Sequence, residues 1–440
     1  MFKTNTLTTL VIALIVVLVG CTSPPSSVAI TPGGPTKPLE VTATSTPTPI
    51  PTPPKELSIK SQGFAQNGRT FIAAFEVVNS SADQAAEQAH FLVSIYDSNG
   101  VSIGKKEGVI GLIMPGQSLG VSATFRLPAN LVAAKMEIQL TNVQLGATES
   151  LPIPTVKLTL LVSSTPVSFV TGLVTNPYSH PVTNLIVNAL AWDASGKLIG
   201  GGSDSIYIIN SKANSGAQVN LVVNGTIDHV DMYAVLPNKA AAMPSYETLA
   251  GQALILETSG FGQQDTTASY GIIFTNPSTI NYNQGSRFHV TAFAADGSVL
   301  AAVNGQVPLI FPKQKFGVSG SLTLPASSVI DHLDIQVQTG DYQPSDPKLK
   351  LTFDKTTFLP GTPGKASGTL INPYANYGFK NLRVYALAYD ASGKIVGGGM
   401  TILDQVAANS RTPVEIEIPT SASVAKVEFY TSPRNLDVFK

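Results

Sequence analysis

The chain is poor in the residues that most protein chemistry uses. Among 440 residues it has one cysteine, one tryptophan, six methionines and five histidines. One cysteine excludes an intramolecular disulfide and any paired-cysteine metal motif. A folded body must therefore be held by burial and backbone pairing alone. Charge is also scarce: Asp, Glu, Lys and Arg make up 12% of the chain, about half the usual share of roughly 25%. The 27 basic and 28 acidic residues leave a net charge of −1. No field draws nucleic acid or anionic lipid to the chain, so no nucleic-acid partner is expected. After one apolar run near the amino terminus there is no second long one, which excludes a later membrane-crossing helix. Gly (37) and Pro (31) are plentiful instead, and turn formers with few charges suit an all-β extracellular chain.

The amino terminus carries one charge, Lys3, then an apolar run from Val11 to Val19, then Gly20 and Cys21. The run is too short to span a bilayer, and small residues stand where a leader is cut. Leu18-Val19-Gly20-Cys21 resembles the lipobox of bacterial lipoproteins. The resemblance implies removal of residues 1–20 as a signal peptide and lipid on Cys21. The membrane, reached through that lipid, is then a partner, and the chain sits on the extracytoplasmic face or cell surface. Several acyl chains on one cysteine anchor a protein stably where a single chain does not. Thr22 rather than Asp follows Cys21, so the inner-membrane retention signal of some diderm lipoproteins is lacking.

From Thr22 to Pro54 there are ten prolines among threonines and serines, ending in Thr46-Pro47-Thr48-Pro49-Ile50-Pro51-Thr52-Pro53-Pro54. Proline removes the backbone donor and fixes φ, so neither helix nor ladder forms. Residues 21–56 are expected to be a disordered Pro/Thr-rich tether, reaching on the order of 100 Å at ~3.1 Å per residue.

Beyond Leu57 the chain repeats. Asp193-Ala194-Ser195-Gly196-Lys197 returns as Asp390-Ala391-Ser392-Gly393-Lys394, and Gly200-Gly201-Gly202 as Gly397-Gly398-Gly399, both 197 residues later. Gly63-Phe64 and Gly260-Phe261, Asn79 and Asn276, Gly100 and Gly297, and Leu127-Pro128 and Leu324-Pro325 share that offset. Gly100, Gly196, Gly297 and Gly393 occupy equivalent turns, spaced by 96, 101 and 96. A period this long means whole domains in tandem rather than a solenoid. Four domains in A-B-A-B order are expected: A1 over 57–148, B1 over 155–240, A2 over 252–342 and B2 over 347–440.

In A1, Phe71, Ala73, Phe75 and Val77 alternate on one strand face, as do Phe91, Val93 and Ile95 on another. Ser98-Asn99-Gly100 supplies the positive-φ position of a hairpin. Short alternating runs with a turn every 8–15 residues predict an all-β sandwich of about seven strands per repeat. Val93-Ser94-Ile95-Tyr96-Asp97, Ala189-Leu190-Ala191-Trp192-Asp193 and Ala386-Leu387-Ala388-Tyr389-Asp390, each followed by a turn and glycine, resemble the FxLYD-type immunoglobulin-like domains of envelope lipoproteins. A2 departs from the pattern, with Thr291-Ala292-Phe293-Ala294-Ala295 before Asp296-Gly297. The resemblance implies a non-catalytic sandwich and points to no ligand.

The repeats also test for chemistry. Lys135, His229, His332 and Lys426 share one position, and Glu137, Asp231, Asp334 and Glu428 stand two residues on. Residues i and i+2 share a strand face, so each last strand is expected to show a base and an acid side by side, discouraging edge association. His90, His180 and His289 have no metal-ligand spacing. Asp97, Asp193 and Asp390 are expected to bond their own turns, since a calcium cage needs more carboxylates. Gly200-Gly201-Gly202 follows Lys197 in a strand, which suits a bulge or close backbone approach, not a phosphate loop. Ser102-Ile103-Gly104-Lys105 spells a penicillin-interacting motif but follows a hairpin and lacks partner motifs. Trp192 aligns with Tyr96, Phe293 and Tyr389 and is expected to pack. No catalytic residue, cofactor or metal site is expected.

Tyr178, Tyr374 and Tyr377, in loops after the first strands of B1 and B2, are the candidate partner-contact residues, because exposed tyrosines bury area at low entropy cost. The reading favoured over this is that each Asn-Pro-Tyr shapes a turn and its ring packs on its own domain. The expectation is a lipid-anchored spacer or protein- or glycan-binding module, not an enzyme. Four repeats end to end would make a rod on the order of 120–150 Å; packing together is the other arrangement the sequence leaves open. The competing expectation is a solute- or glycan-binding lipoprotein that partners a transporter or envelope enzyme.

Overall fold

Antiparallel strands account for the structure at every level. In A1 the strand Thr70–Asn79 is the centre of a three-stranded sheet, flanked by Leu57–Asn67 and Ser118–Arg126. Ala89–Tyr96 is the centre of a second, flanked by Ser102–Ile110 and Lys135–Asn142. A2 repeats this plan with Thr267–Thr275 and Arg287–Phe293 at the two centres. B2 has the same two layers, centred on Gly364–Asn372 and Gly378–Tyr389. In B1 the pairs Gly200–Val223 and Gly201–Val222 join both layers into one six-stranded path. Each repeat thus has six long strands where the turn count suggested about seven; A1 and A2 add a short two-stranded ribbon. This computed structural model describes residues 56–148, 150–163, 168–243, 253–344, 350–432 and 438–439. Cys21, the leader and all of the tether but Glu56 lie outside the described residues. Among the described residues the one helical element is the 3-10 turn Lys239–Ala242, and no helix is long and apolar enough to cross a membrane.

The alternating residues fill the cores as the patterns predict. Phe71, Ala73, Phe75, Val77, Phe91, Val93 and Ile95 all lie in one buried cluster of A1. Separate clusters fill B1, A2 and B2. Each repeat also hides one asparagine at the end of its second strand: Asn79, Asn176, Asn276 and Asn372, none more than 1% exposed. Each Oδ1 accepts the backbone N–H two residues on, from Ser81, Tyr178, Ser278 and Tyr374. Each Nδ2 donates to carbonyls of the next loop and of a distant turn, such as Asn281 at 2.9 Å and Ile310 at 3.0 Å from Asn276. A buried amide with all its bonds made ties the loop to the sandwich.

Of the two arrangements left open by the sequence, the repeats pack together. The described residues belong to one compact unit, in which repeats meet through the faces of their sheets. Thr70–Asn79 is apolar on both faces: its second face, Ile72 and Ala74, packs with Leu190 and Leu198 of B1. The A2–B2 seam keeps Leu387 and Ile395 at the matching places 197 residues on, but its third member, Ile273, stands where A1 has Glu76, and Ile72 and Ala74 give way to Ser269 and Gly271. Contact is close enough to require glycine. A Cβ on Gly63 would lie 2.0 Å from the Leu198 carbonyl oxygen, and on Gly260 2.0 Å from that of Ile395. Gly120 lies against Tyr233 and Gly317 against Tyr430 in the same way.

Candidate functional site

The hairpin aspartates bond their own turns. Asp193 Oδ1 accepts from the Ser195 N–H and hydroxyl and from the Lys197 N–H, at 2.9, 2.6 and 3.0 Å. Asp390 does the same with Ser392 and Lys394, and Asp97 with Asn99 and Val101. The Ser195 hydroxyl, then the Lys197 N–H, hold the Asp193 carboxyl below its usual range. Gly196 has φ 77°, which only glycine adopts freely. Among the described residues no three His, Cys, Asp or Glu side chains converge.

The triple glycine is a close approach. A Cβ on Gly200 would stand 2.2 Å from the Val222 carbonyl oxygen and on Gly202 2.0 Å from that of Asn220. Pairing slips by one residue between Ala191 and Trp192 beside it. Trp192 is packed in the A1–B1 seam, and its ring stacks on His229 at 6.2 Å.

The last strands carry their charges on sheet edges in all four repeats. Lys135 bonds Glu137 at 2.6 Å, and Lys426 bonds Glu428. The two histidine copies differ from the expectation. His229 bonds Asp228 at 2.9 Å and His332 bonds Asp331 at 2.8 Å, the residue before rather than the one two places on. An imidazole is shorter than a lysine stem and takes the nearer carboxylate.

Tyr178 packs on its own domain, the favoured of the two readings of its loop, and is not an exposed contact residue. It is 7% exposed within the B1 core. Its hydroxyl donates to the Pro152 carbonyl at 2.5 Å and its ring stacks on His180 at 5.2 Å. Burial pushes its phenol pKa up. The asparagine two residues earlier fixes its backbone, so the ring turns inward and pins the A1–B1 joint. Tyr374 is half-buried against the B2 core and accepts the Lys350 N–H at 2.6 Å. Tyr377 is 41% exposed, with its ring 6.3 Å from that of Tyr374, so it alone of the three presents much surface.

The seam between B1 and A2 gathers polar groups that the residue patterns did not reveal. A cleft of about 790 Å³ is lined there by Asp204, Gln218 and Asn220 of B1 and by Asn304, Ser321 and Thr323 of A2. His289 is 2% exposed beside it. Its Nε2 lies 2.8 Å from the Gly216 carbonyl and its Nδ1 2.9 Å from Asn304 Oδ1. Asn304 is oriented by accepting from Tyr207 N–H at 3.0 Å and donating to the Ser205 carbonyl at 2.5 Å. Burial lowers the His289 pKa, against the Asn304 and Gly216 bonds and the charges of Asp204 and Asp334, which favour the imidazolium. Burial raises that of Asp204. Such a lining of amides, hydroxyls and one carboxyl can bind a hydroxylated ligand but presents no nucleophile with an adjacent base.

No family model matches the chain, and no curated protein matches it. Among solved structures, a beta-glucuronidase from glycoside hydrolase family 2 aligns at 10% identity over 74% of this chain and 31% of its own, with a TM-score of 0.13. A protein described as pT26-6p aligns at 8% identity over 82% of this chain and 65% of its own, with a TM-score of 0.12. The chain spans less than two thirds of either protein, and at these scores neither likeness bears on fold or chemistry.

Proposed function

We propose that this is a non-catalytic, lipid-anchored surface protein: a leader cut before Cys21, lipid on that cysteine, a Pro/Thr-rich tether, and four immunoglobulin-like sandwiches of the FxLYD type. The sandwiches serve as a spacer or as a protein- or glycan-binding module on the extracytoplasmic face. The observation that supports this best is the A–B seam, present twice at an offset of 197 residues with the same glycines against the same strand, Gly63 on Leu198 and Gly260 on Ile395. Duplication that preserves a packing face preserves a scaffold. The second reading, a solute- or glycan-binding lipoprotein partnering a transporter or envelope enzyme, is favoured by the polar cleft between Asp204 and Asn304.

Two measurements test the proposal. Radiolabelled palmitate should enter the wild-type chain and not Cys21→Ser, and label retained by the variant removes the anchor. The full-length chain in detergent micelles should capture envelope glycan or protein if it is a binding module. Capture lost in Tyr377→Ala identifies the B2 loop as the contact, and capture lost in Asn220→Ala identifies the cleft and the second reading. Turnover of a captured glycan sinks both.

A further inference from the structure

We infer that the cleft where A2 meets B2 binds the carboxylate or sulfate of a small acidic ligand, held by Arg287 and Arg383. This deepens the binding-module reading and rests on it for the ligand's source, not for the site. The cleft measures about 210 Å³ and is lined by Ser286, Arg287 and Gln306 of A2 and by Arg383 and Ser432 of B2, among others. Arg287 opens the strand Arg287–Phe293, opposite Gln306. Its guanidinium bonds Asn184 Oδ1 of B1 at 3.1 Å and lies over the B1 Tyr207 ring at 5.0 Å, so B1 holds it in place. Arg383 lies between Leu382 and Val384, which point into the B2 core. Alternation sends its own side chain to the other face, toward A2.

Neither arginine has a carboxylate partner among the described residues, and the Arg383 guanidinium has no hydrogen-bond or ion-pair partner among them at all. Two guanidiniums in one cleft repel each other and lose hydration there. An oxyanion relieves both costs, and the planar fork of arginine matches it with two parallel bonds. The Ser432 hydroxyl already donates to the Leu309 carbonyl at 2.6 Å. It is left as an acceptor, suited to a ligand hydroxyl. A volume below the range of roughly 300–1,000 Å³ for drug-sized ligands sets the size at about one sugar ring.

The duplication supplies an internal control. Moving back 197 residues from Arg287, Gln306, Arg383 and Ser432 gives His90, Val109, Ile186 and Val235. The first block therefore lacks both fixed charges and the hydroxyl. Elsewhere the seam is kept between the blocks, as at Gly63 and Gly260, Leu190 and Leu387, and Tyr233 and Tyr430. At the four lining positions one histidine and three aliphatic residues are replaced by two arginines, an amide and a hydroxyl, so this cleft alone gains charge and hydrogen-bonding capacity in the second block.

The test uses the full-length chain in detergent micelles, titrated calorimetrically with sodium sulfate, galacturonate and neutral galactose. Sulfate or galacturonate should bind and galactose should not. Binding of both anions assigns a free-anion source, and binding of galacturonate alone assigns a sugar acid. Arg383→Gln should weaken binding about tenfold or more and Arg383→Lys should retain part of it. His90→Ala, at the matching place in the first block, should leave it unchanged. An unaltered unfolding midpoint in Arg383→Gln shows that the loss is not misfolding. The inference is overturned if no anion binds wild type at about 10 mM, or if Arg383→Gln binds as wild type does. Glycan capture that persists alongside either result keeps the binding module and removes only this cleft.

Discussion

The two kinds of seam in this chain differ in the balance of their materials. Within each block, A meets B largely through aliphatic side chains and glycines that let backbone oxygens approach, with a few hydrogen bonds such as Asn188 to the Gly120 carbonyl at 3.0 Å and Ser269 to the Pro419 carbonyl at 2.7 Å. Between the blocks, B1 meets A2 largely through directed hydrogen bonds, with Gly216 close against Thr291 and Val299. Thr171 donates to the Val299 carbonyl at 2.7 Å, the Gly216 N–H to Thr291 at 2.9 Å, and the Asn210 N–H to Gln336 at 2.6 Å. The first kind occurs twice because it was copied with the block. The second occurs once and had to be made between faces that already existed. Close packing without side chains tolerates no added atom, whereas a seam of amides tolerates change only when every partner is satisfied.

The sharpest way to break this contrast is Gly260→Val. A branched side chain placed where a Cβ already overlaps the Ile395 oxygen should part A2 from B2. The cost should be about 3 kcal/mol or more, read as a lowered denaturation midpoint. A midpoint within error of wild type would mean the seam is not packed as described. Next comes Asn304→Leu in the other seam, which strands the Tyr207 N–H and the Ser205 carbonyl. A loss of about 2–3 kcal/mol is expected, and a neutral or stabilising result would show that water replaces the amide.

A smaller effect is expected from pH. His289 has its pKa lowered by burial, so the unfolded chain binds its proton more readily than the folded one. Its stabilising contribution is complete above about 6.5 and is lost as pH falls below that value. Asp204 and Asp334 face the ring and moderate the loss. The thermal midpoint should fall between about pH 7 and 5, and His289→Gln should flatten that limb; an identical slope in the variant refutes the assignment. The smallest effect is expected from Lys135→Ala. The pair with Glu137 is open to solvent on an edge strand, so the midpoint should not move, and a clear drop would show that the edge pair holds the sheet.

Much of the architecture was legible because each repeat states it again. The β class, the turn glycines, the self-bonding aspartates and the inward Phe71 and Phe91 follow from alternation and turn chemistry. The seams were harder to read because alternation was read on one face. Phe71-Ile72-Ala73-Ala74-Phe75 and Ala189-Leu190-Ala191 are apolar on both faces, which is the mark of a strand buried on both sides. A Pro-Tyr after a strand admits two readings for Tyr178, an exposed loop residue or a ring packed on its own domain. What turns it inward is the Asn176 amide, whose bonds to the Ile209 and Asn210 carbonyls reach more than thirty residues along the chain. The polar B1–A2 cleft left no trace because its lining residues come from distant, unrelated strands.

The first described strand has a mechanical consequence. Leu57–Asn67 forms the outer edge of its sheet, but Gly63 on that strand lies under the Leu198 carbonyl of the neighbouring repeat. A pull applied at Glu56 would meet this contact once the residues before Gly63 had peeled from the neighbouring strand, and beyond that point the strand cannot leave without parting the two repeats.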